Sequence, residues 1–427
     1  MNARWLVLLV GLMWIAAADG ADWPQWRGPK RTNVSEETGV LTEWPKEGPK
    51  LLWTFDNAGS GYSGPAIVGD KLYSVGERNG KEMLFCLDAN TGKQVWDLEV
   101  GGQFKNNWGG GPRTTPAVDG GMVYGISPDG ALYAATTAGK MQWKKDFKKD
   151  FGGQLMSGWG YSESPLVDGD KVLCAPGGPK GTIVALDKKT GKLLWQSASV
   201  KDKASYSSII PADVKGGRQY IYETGSGVVG VDAKTGKQLW YFPKPDFRTA
   251  VAPTAIYSDG HVFATASYGA KGVCIKIDGP KAEEVWQNGT LENHHGGVVL
   301  IDGHLYGCSG QGGQRWVCVN FKTGEKTWDE RKLGGGSLTA VGKRLYLYSQ
   351  DKGTCVLLDA DPKGWKEHGR FTIPRESKLP RQSGKIWTHP VVANGKLYLR
   401  DLDLIFCYDV KNTTAAVEGA KPAAVGD

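Results

Sequence analysis

One nine-residue pattern, Asp-x-x-Thr-Gly-x-x-x-Trp, recurs along the chain and limits its folds more than any other feature. It runs from Asp88 to Trp96 with Thr91-Gly92, from Asp187 to Trp195 with Thr190-Gly191, and from Asp232 to Trp240 with Thr235-Gly236. Asn320 to Trp328 repeats it with Thr323-Gly324. Degenerate copies end at Trp143, after Ala138-Gly139, and at Trp286, after Asp278; another has lost Thr-Gly and ends at Phe371. Trp53 stands alone, with no Thr-Gly before it. These aromatic ends lie 42 to 52 residues apart. A period near that length marks a stacked or radial array of small sheets.

A second signature precedes each copy: an apolar run, Asp-Gly or Asn-Gly, and another apolar run. Pro116-Ala117-Val118-Asp119-Gly120 leads to Val123-Tyr124, and Pro390 to Gly395 leads to Leu397-Tyr398. Asp168-Gly169, Asp259-Gly260 and Asp302-Gly303 fall at the matching place. Such pairs supply the positive φ of a tight hairpin, and Thr-Gly supplies a second hairpin. Each unit therefore reads as four strands, A to D, with Trp on D. The last unit, Trp387 to Val410, holds only A to C, whereas the Trp53 strand is a D without A to C. Joining the two closes a ring and removes the open edges of a linear array. The expected fold is all-β, a single eight-bladed β-propeller of four-stranded antiparallel blades over 49–410, its last blade closed by the N-terminal strand. Length alone, at about 150 residues per domain, would suggest two or three domains. The 61 glycines oppose a helical bundle, since each interior Gly costs a helix roughly 1 kcal/mol against Ala.

The ends read differently. Residues 1–20 form an expected signal peptide: Arg4, an apolar stretch of 14 residues from Trp5 to Ala18, and Ala18-Asp19-Gly20 before a cut at Ala21. The stretch is short for a membrane span, and no later segment is long and apolar enough. Residues 21–48 are an N-terminal extension and 411–427 an expected disordered tail. The expected setting is periplasmic or secreted, the expected state a monomer. The seven cysteines form no C-x-x-C and lie mostly in strand-like runs, as small buried hydrophobes do; Cys308 and Cys318 could instead pair within one hairpin. A net charge of +7 without a run of five lysines gives no nucleic-acid footprint.

Loops entering the A strands of a propeller converge at one mouth of its axis. Residues there are Tyr62 and Ser63; Asn107, Trp108, Arg113 and Thr114; Trp159, Tyr161 and Glu163; Tyr206 and Ser207; Arg248 and Thr249; Asn293, His294 and His295; and Lys385, Trp387 and His389. Such a set suits a small polar or anionic ligand with a planar part. Arg113 and Arg248 are candidates to clamp carboxylates, and Glu163 with His294 or His295 to act as acid and base. His294-His295 lacks the ligand spacing of a zinc site, so no metal site is assigned. Gly59–Gly64 and Gly225–Gly230 match G-x-G-x-x-G but open no helix of a βαβ unit.

From about 50 to 410 the repeat resembles that of pyrroloquinoline quinone (PQQ)-repeat propellers. These include quinoprotein alcohol dehydrogenases and the propeller lipoprotein of the outer-membrane protein assembly complex. Ala21-Asp22-Trp23-Pro24-Gln25-Trp26-Arg27-Gly28-Pro29 resembles the mature start of secreted propellers of planctomycete-type bacteria. The resemblance implies one of two functions: a ligand-binding or scaffold protein of the cell envelope, partnered by a small ligand or an envelope protein, or a PQQ- and calcium-dependent oxidoreductase acting on alcohols or sugars. In the second, Glu163 and Asn107 would hold Ca²⁺. The sequence lacks the adjacent Cys pair of the dehydrogenases and has no C-x-x-C-H haem motif, which favours the first. A polysaccharide hydrolase or lyase would need paired carboxylates, and Glu163 is the one mouth candidate.

Overall fold

In the repeat, Asp88 Oδ1 accepts hydrogen bonds from Asn90 N (3.1 Å), Thr91 N (2.9 Å) and Thr91 Oγ1 (2.9 Å), closing the turn. Gly92 completes it at φ +70°. Asp187 and Asp232 hold Thr190 and Thr235 in the same way. The computed structural model, which describes residues 20–310 and 315–412, shows why glycine is needed there twice over. The indole of Trp53, on the neighbouring blade, lies against the turn, so that a Cβ on Gly92 would sit 2.6 Å from the ring. Trp53 Nε1 donates to the Ala89 carbonyl at 3.2 Å. Trp96 lies likewise on Gly139, Trp143 on Gly191, Trp195 on Gly236 and Trp286 on Gly324.

The exceptions follow the sequence. Where Asp278-Gly279 stands in place of Thr-Gly, Trp240 turns into its own blade and donates to Gln219 Oε1 at 2.7 Å. Phe371 lies against Gly48 instead, just before the strand Lys50–Phe55.

Eight sheets result, each running in order from its A strand to its D strand, with the A strand at the edge in seven of them. Blade 1 comprises Ala66–Val68, Lys71–Arg78, Lys81–Asp88 and Gln94–Gly102, all antiparallel. In blade 8, Val391–Ala393, Lys396–Asp401 and Leu404–Asp409 are completed by Lys50–Phe55, with Trp53 opposite Cys407 and Phe55 opposite Ile405. This is the circular closure. The apolar core lies between blades: Leu166 and Leu173 of blade 3 pack with Tyr220 and Val229 of blade 4. All seven cysteines are buried and free; Cys308 faces Trp316 and Cys318 faces Tyr306 across the ladder, so the two do not pair. Among the described residues no helix is long and apolar enough to cross a membrane. The expected leader, Gly20 apart, and the expected tail beyond Asn412 lie outside the described residues.

Residues 23–35 of the extension run across the axis of the ring as a plug, and the chain then passes to the outer strand of blade 7, where Trp44 N donates to His368 O at 2.8 Å. Trp23 exchanges two 2.8 Å backbone hydrogen bonds with Ile67 of blade 1, and Val118 N of blade 2 donates to Pro24 O at 2.8 Å. Arg31 donates to Ser164 O (3.1 Å) and Pro165 O at the entry to blade 3, and to Ile209 O (2.8 Å) at blade 4. Trp26 Nε1 reaches Thr254 Oγ1 (3.1 Å) before blade 5, and Arg27 reaches Val298 O (2.8 Å) of blade 6. Asn33 Nδ2 donates to Leu338 O (2.5 Å) of blade 7, and Ser35 Oγ to Val392 O (2.8 Å) of blade 8. One segment thus bonds to all eight blades. It supplies donors to inner-edge carbonyls that a bare axis would leave unpaired. Val34–Ser35 also adds a fifth, parallel strand to blade 7.

Candidate functional site

Beside this plug lies a cavity of about 650 Å³, within the range of small-molecule sites. The entry loops build its wall. In four of them a proline immediately precedes the A strand, and the residue three before it faces the cavity each time: Tyr62 before Pro65, Arg113 before Pro116, Ser162 before Pro165 and Trp387 before Pro390. Extended backbone sends alternate side chains to opposite faces, so Ser164, Lys385 and His389 follow at steps of two, as does Ser208 after Tyr206.

Aromatic rings dominate. Trp387 lies 5.3 Å from Tyr62 and 5.5 Å from His295, centroid to centroid; His294 lies 4.9 Å from His295 and 5.3 Å from Tyr268. Phe247 stacks on Tyr268 at 5.1 Å, and Trp159 packs on Tyr206 at 5.8 Å. The histidines form a short relay. Tyr268 Oη bonds His294 Nε2 (3.0 Å), the two Nδ1 atoms of His294 and His295 share a hydrogen bond (3.1 Å), and His389 Nε2 donates to His295 O (2.9 Å). Burial pushes the His294 and His389 imidazoles down to about 4. Burial, with His294 and His389 close by, holds His295 well below its ordinary value. All three are neutral at pH 7.

The two cations on the lining are engaged. Arg113 donates to Gly109 O (2.6 Å) and Gly111 O (2.9 Å) and lies over Tyr62 and Phe104. Lys385 Nζ is 2.6 Å from Asp351 Oδ1. Among the described residues, no aspartate or glutamate lines the cavity.

Of the sequence candidates, the cavity gathers Tyr62, Trp108, Arg113, Trp159, Tyr206, Thr249, His294, His295, Lys385, Trp387 and His389. Glu163, Tyr161, Arg248 and Asn107 lie elsewhere. Glu163 is 1% exposed and accepts from Ala175 N; Tyr161 is buried, bonded to Pro176 O at 3.0 Å. Both take the other face of the strand from Ser162 and Ser164, so no Glu163–histidine acid/base pair forms. Arg248 is exposed and pairs with Asp246 (3.2 Å), which leaves no Arg113–Arg248 clamp. Asn107 is exposed, its carbonyl accepting from Ser383 N (3.2 Å). Sequence reasoning missed Trp26, Phe247, Tyr268, Gln350 and the serines. The proline-minus-three rule would have found Ser162; nothing in the pattern marks Trp26, which arrives with the plug.

A family model of PQQ-repeat type, described as outer membrane protein assembly factor BamB, matches residues 37–146 and 103–330. The chain belongs to that family. A BamB of Shewanella oneidensis is 25% identical over 278 residues, 62% of this chain and 68% of that one. A tetrathionate hydrolase of Acidithiobacillus ferrooxidans is 28% identical over 281 residues, 60% of this chain and 51% of that one. The crystal structure of BamB from Moraxella catarrhalis superposes with a TM-score of 0.56 at 18% identity, over 84% of this chain and 97% of that one. The quinohemoprotein alcohol dehydrogenase of Comamonas testosteroni gives 0.61 at 12% identity, over 95% and 82%. At those identities the structural likenesses show the fold.

The residues present do not fit PQQ with calcium. Ca²⁺ takes six to eight oxygen ligands, carboxylates prominent among them, whereas Glu163 is sealed behind the wall and Asn107 is outside it. The carboxylates of PQQ would need free cations, and both of the cavity's cations are already engaged.

Proposed function

We propose that this BamB-family propeller works in the cell envelope, in the periplasm or secreted, as a ligand-binding scaffold without catalytic chemistry of its own. Relatives named as outer membrane protein assembly factors support the envelope setting and an envelope protein as partner. The ligand is neutral, ring-bearing and hydroxylated, as a short glycan is. One observation carries this reading: the cavity offers aromatic faces, neutral imidazoles and serine hydroxyls, with no carboxylate and no unengaged cation. Apolar ring faces stack on such aromatics, and buried donors and acceptors fix orientation. An anionic ligand would have to break Arg113 from two carbonyls or Lys385 from Asp351.

The test is tryptophan fluorescence of the purified protein titrated with a panel of neutral oligosaccharides, and separately with PQQ plus Ca²⁺. Saturable quenching by an oligosaccharide, lost in Trp387→Ala, is expected. Tight PQQ binding with dye reduction by alcohols or sugars would overturn the reading in favour of an oxidoreductase.

A further inference from the structure

Glu37, in the extension, is 7% exposed. Its Oε1 accepts hydrogen bonds from Asn394 N and from Ala21 N (2.5 Å), and its Oε2 accepts from Gly395 N (3.0 Å). These donors are all backbone amides, and among the described residues Glu37 has no Lys or Arg in an ion pair. A buried carboxylate held only by neutral donors is a costly arrangement. The nitrogen that would balance it is already in contact. Ala21 is the residue after the small-residue cleavage pattern Ala18-Asp19-Gly20.

We infer that the chain is processed between Gly20 and Ala21, and that the new α-ammonium of Ala21 ion-pairs with Glu37 to lock the axial plug onto blade 8. Hydrolysis breaks the Gly20 C–Ala21 N bond; water's hydroxyl goes to the Gly20 acyl group and its proton to the amine. An α-amine ordinarily titrates near 7.7–8.0 and so is charged at neutral pH. The neutral donor at 2.5 Å from Glu37 becomes a cation without moving. Blade 8 shapes the same place: the Gly20 backbone runs so close to the turn Asn394-Gly395 that a Cβ there would lie 2.5 Å from Asn394 Cα, leaving room for glycine and for no larger residue. The lock joins two parts already described: Glu37 lies two residues beyond Ser35, the plug's contact with blade 8, and Asn394-Gly395 is that blade's first hairpin.

The experiment uses the full chain exported to a bacterial periplasm, with intact mass fixing its first residue. Its thermal midpoint is compared with that of a cytoplasmic version carrying Met-Gly before Ala21, each with Glu37 and with Glu37→Gln. The expected results are a start at Ala21 and a midpoint about 3–6 °C higher for the processed protein. In the Glu37→Gln background that advantage disappears. Should Glu37→Gln not fold, the rate of acylation of the terminal amine by a soluble active ester decides. The Ala21 amine should react at least about ten times slower in the processed protein than the terminal amine of the extended one. A different first residue, an extension penalty equal in both backgrounds, or equal acylation rates would each overturn the inference.

Discussion

Glu163→Gln should make the propeller more stable at alkaline pH and leave it unchanged in mild acid. Glu163 Oε1 accepts from Ala175 N, whereas Oε2 is buried with no hydrogen-bond partner among the described residues. An ionised carboxylate would leave that oxygen bare. Burial pushes the carboxyl up to about 8, with the Ala175 amide and the Arg31 guanidinium pulling the other way. The unfolded chain ionises Glu163 near pH 4.5, while the folded one keeps its proton to about pH 8. The folded state therefore binds more protons over that window, and its stability falls as pH rises through it. A displacement of about 3.5 units corresponds to roughly 5 kcal/mol lost between pH 4.5 and pH 8. Gln mimics the protonated acid and keeps the acceptor for Ala175, so it removes this loss. At about 2.1 cal/mol/K per residue, 5 kcal/mol is roughly 6 °C in a chain of this size. Scanning calorimetry at pH 5 and pH 8.5 on both proteins measures the difference, and the other buried carboxyls cancel in it. If Glu163 is instead an anion paired with Arg31, Glu163→Gln will lose stability at pH 8.5, and the argument that desolvation outweighs the guanidinium fails.

Gly92→Ala puts a methyl against Trp53 at a positive φ and should cost about 2–4 kcal/mol, read as a lower urea midpoint. Gln219→Leu strips the buried Trp240 Nε1 of its acceptor and should cost about 1–3 kcal/mol by the same measurement; the loss should be absent in a Trp240→Phe background. With His294 and His389 held down to about 4, the unfolded imidazoles take protons from near pH 6.5 while the folded ones do not, so stability falls as pH drops from about 6.5 to about 4 and levels off below. Ligand affinity should accordingly be flat from pH 6 to pH 8, and imidazole NMR shifts that titrate near 6.5 would contradict the packing of Tyr268, His294 and His295.

The ring was legible because its grammar is local. Asp-x-x-Thr-Gly states a turn by its own hydrogen bonds, and Trp at a fixed distance states the next contact, so counting aromatic ends gave the blade number and the orphan Trp53 gave the closure. The site was half legible for a related reason. Loops that enter A strands do converge, and Trp108, Arg113, Trp159, His294, His295, Lys385, Trp387 and His389 meet on one cavity wall. Tyr161 and Glu163 failed because strand alternation, applied from Pro165 backwards, sends them to the opposite face from Ser162. Arg248 failed because Asp246, two residues away, satisfies it locally. The plug left no periodic trace. Its bonds go mostly to backbone carbonyls, which every sequence provides, so Arg27 and Arg31 look like any surface arginines until the inner strand edges are in view.

The ribbon that occupies the middle of the ring also decides traffic. An open propeller has two ends and a passage between them; here Trp23, Arg27, Arg31 and Asn33 stop the bore. The two faces of the disc are thereby unequal, with the aromatic cavity on one side of the plug.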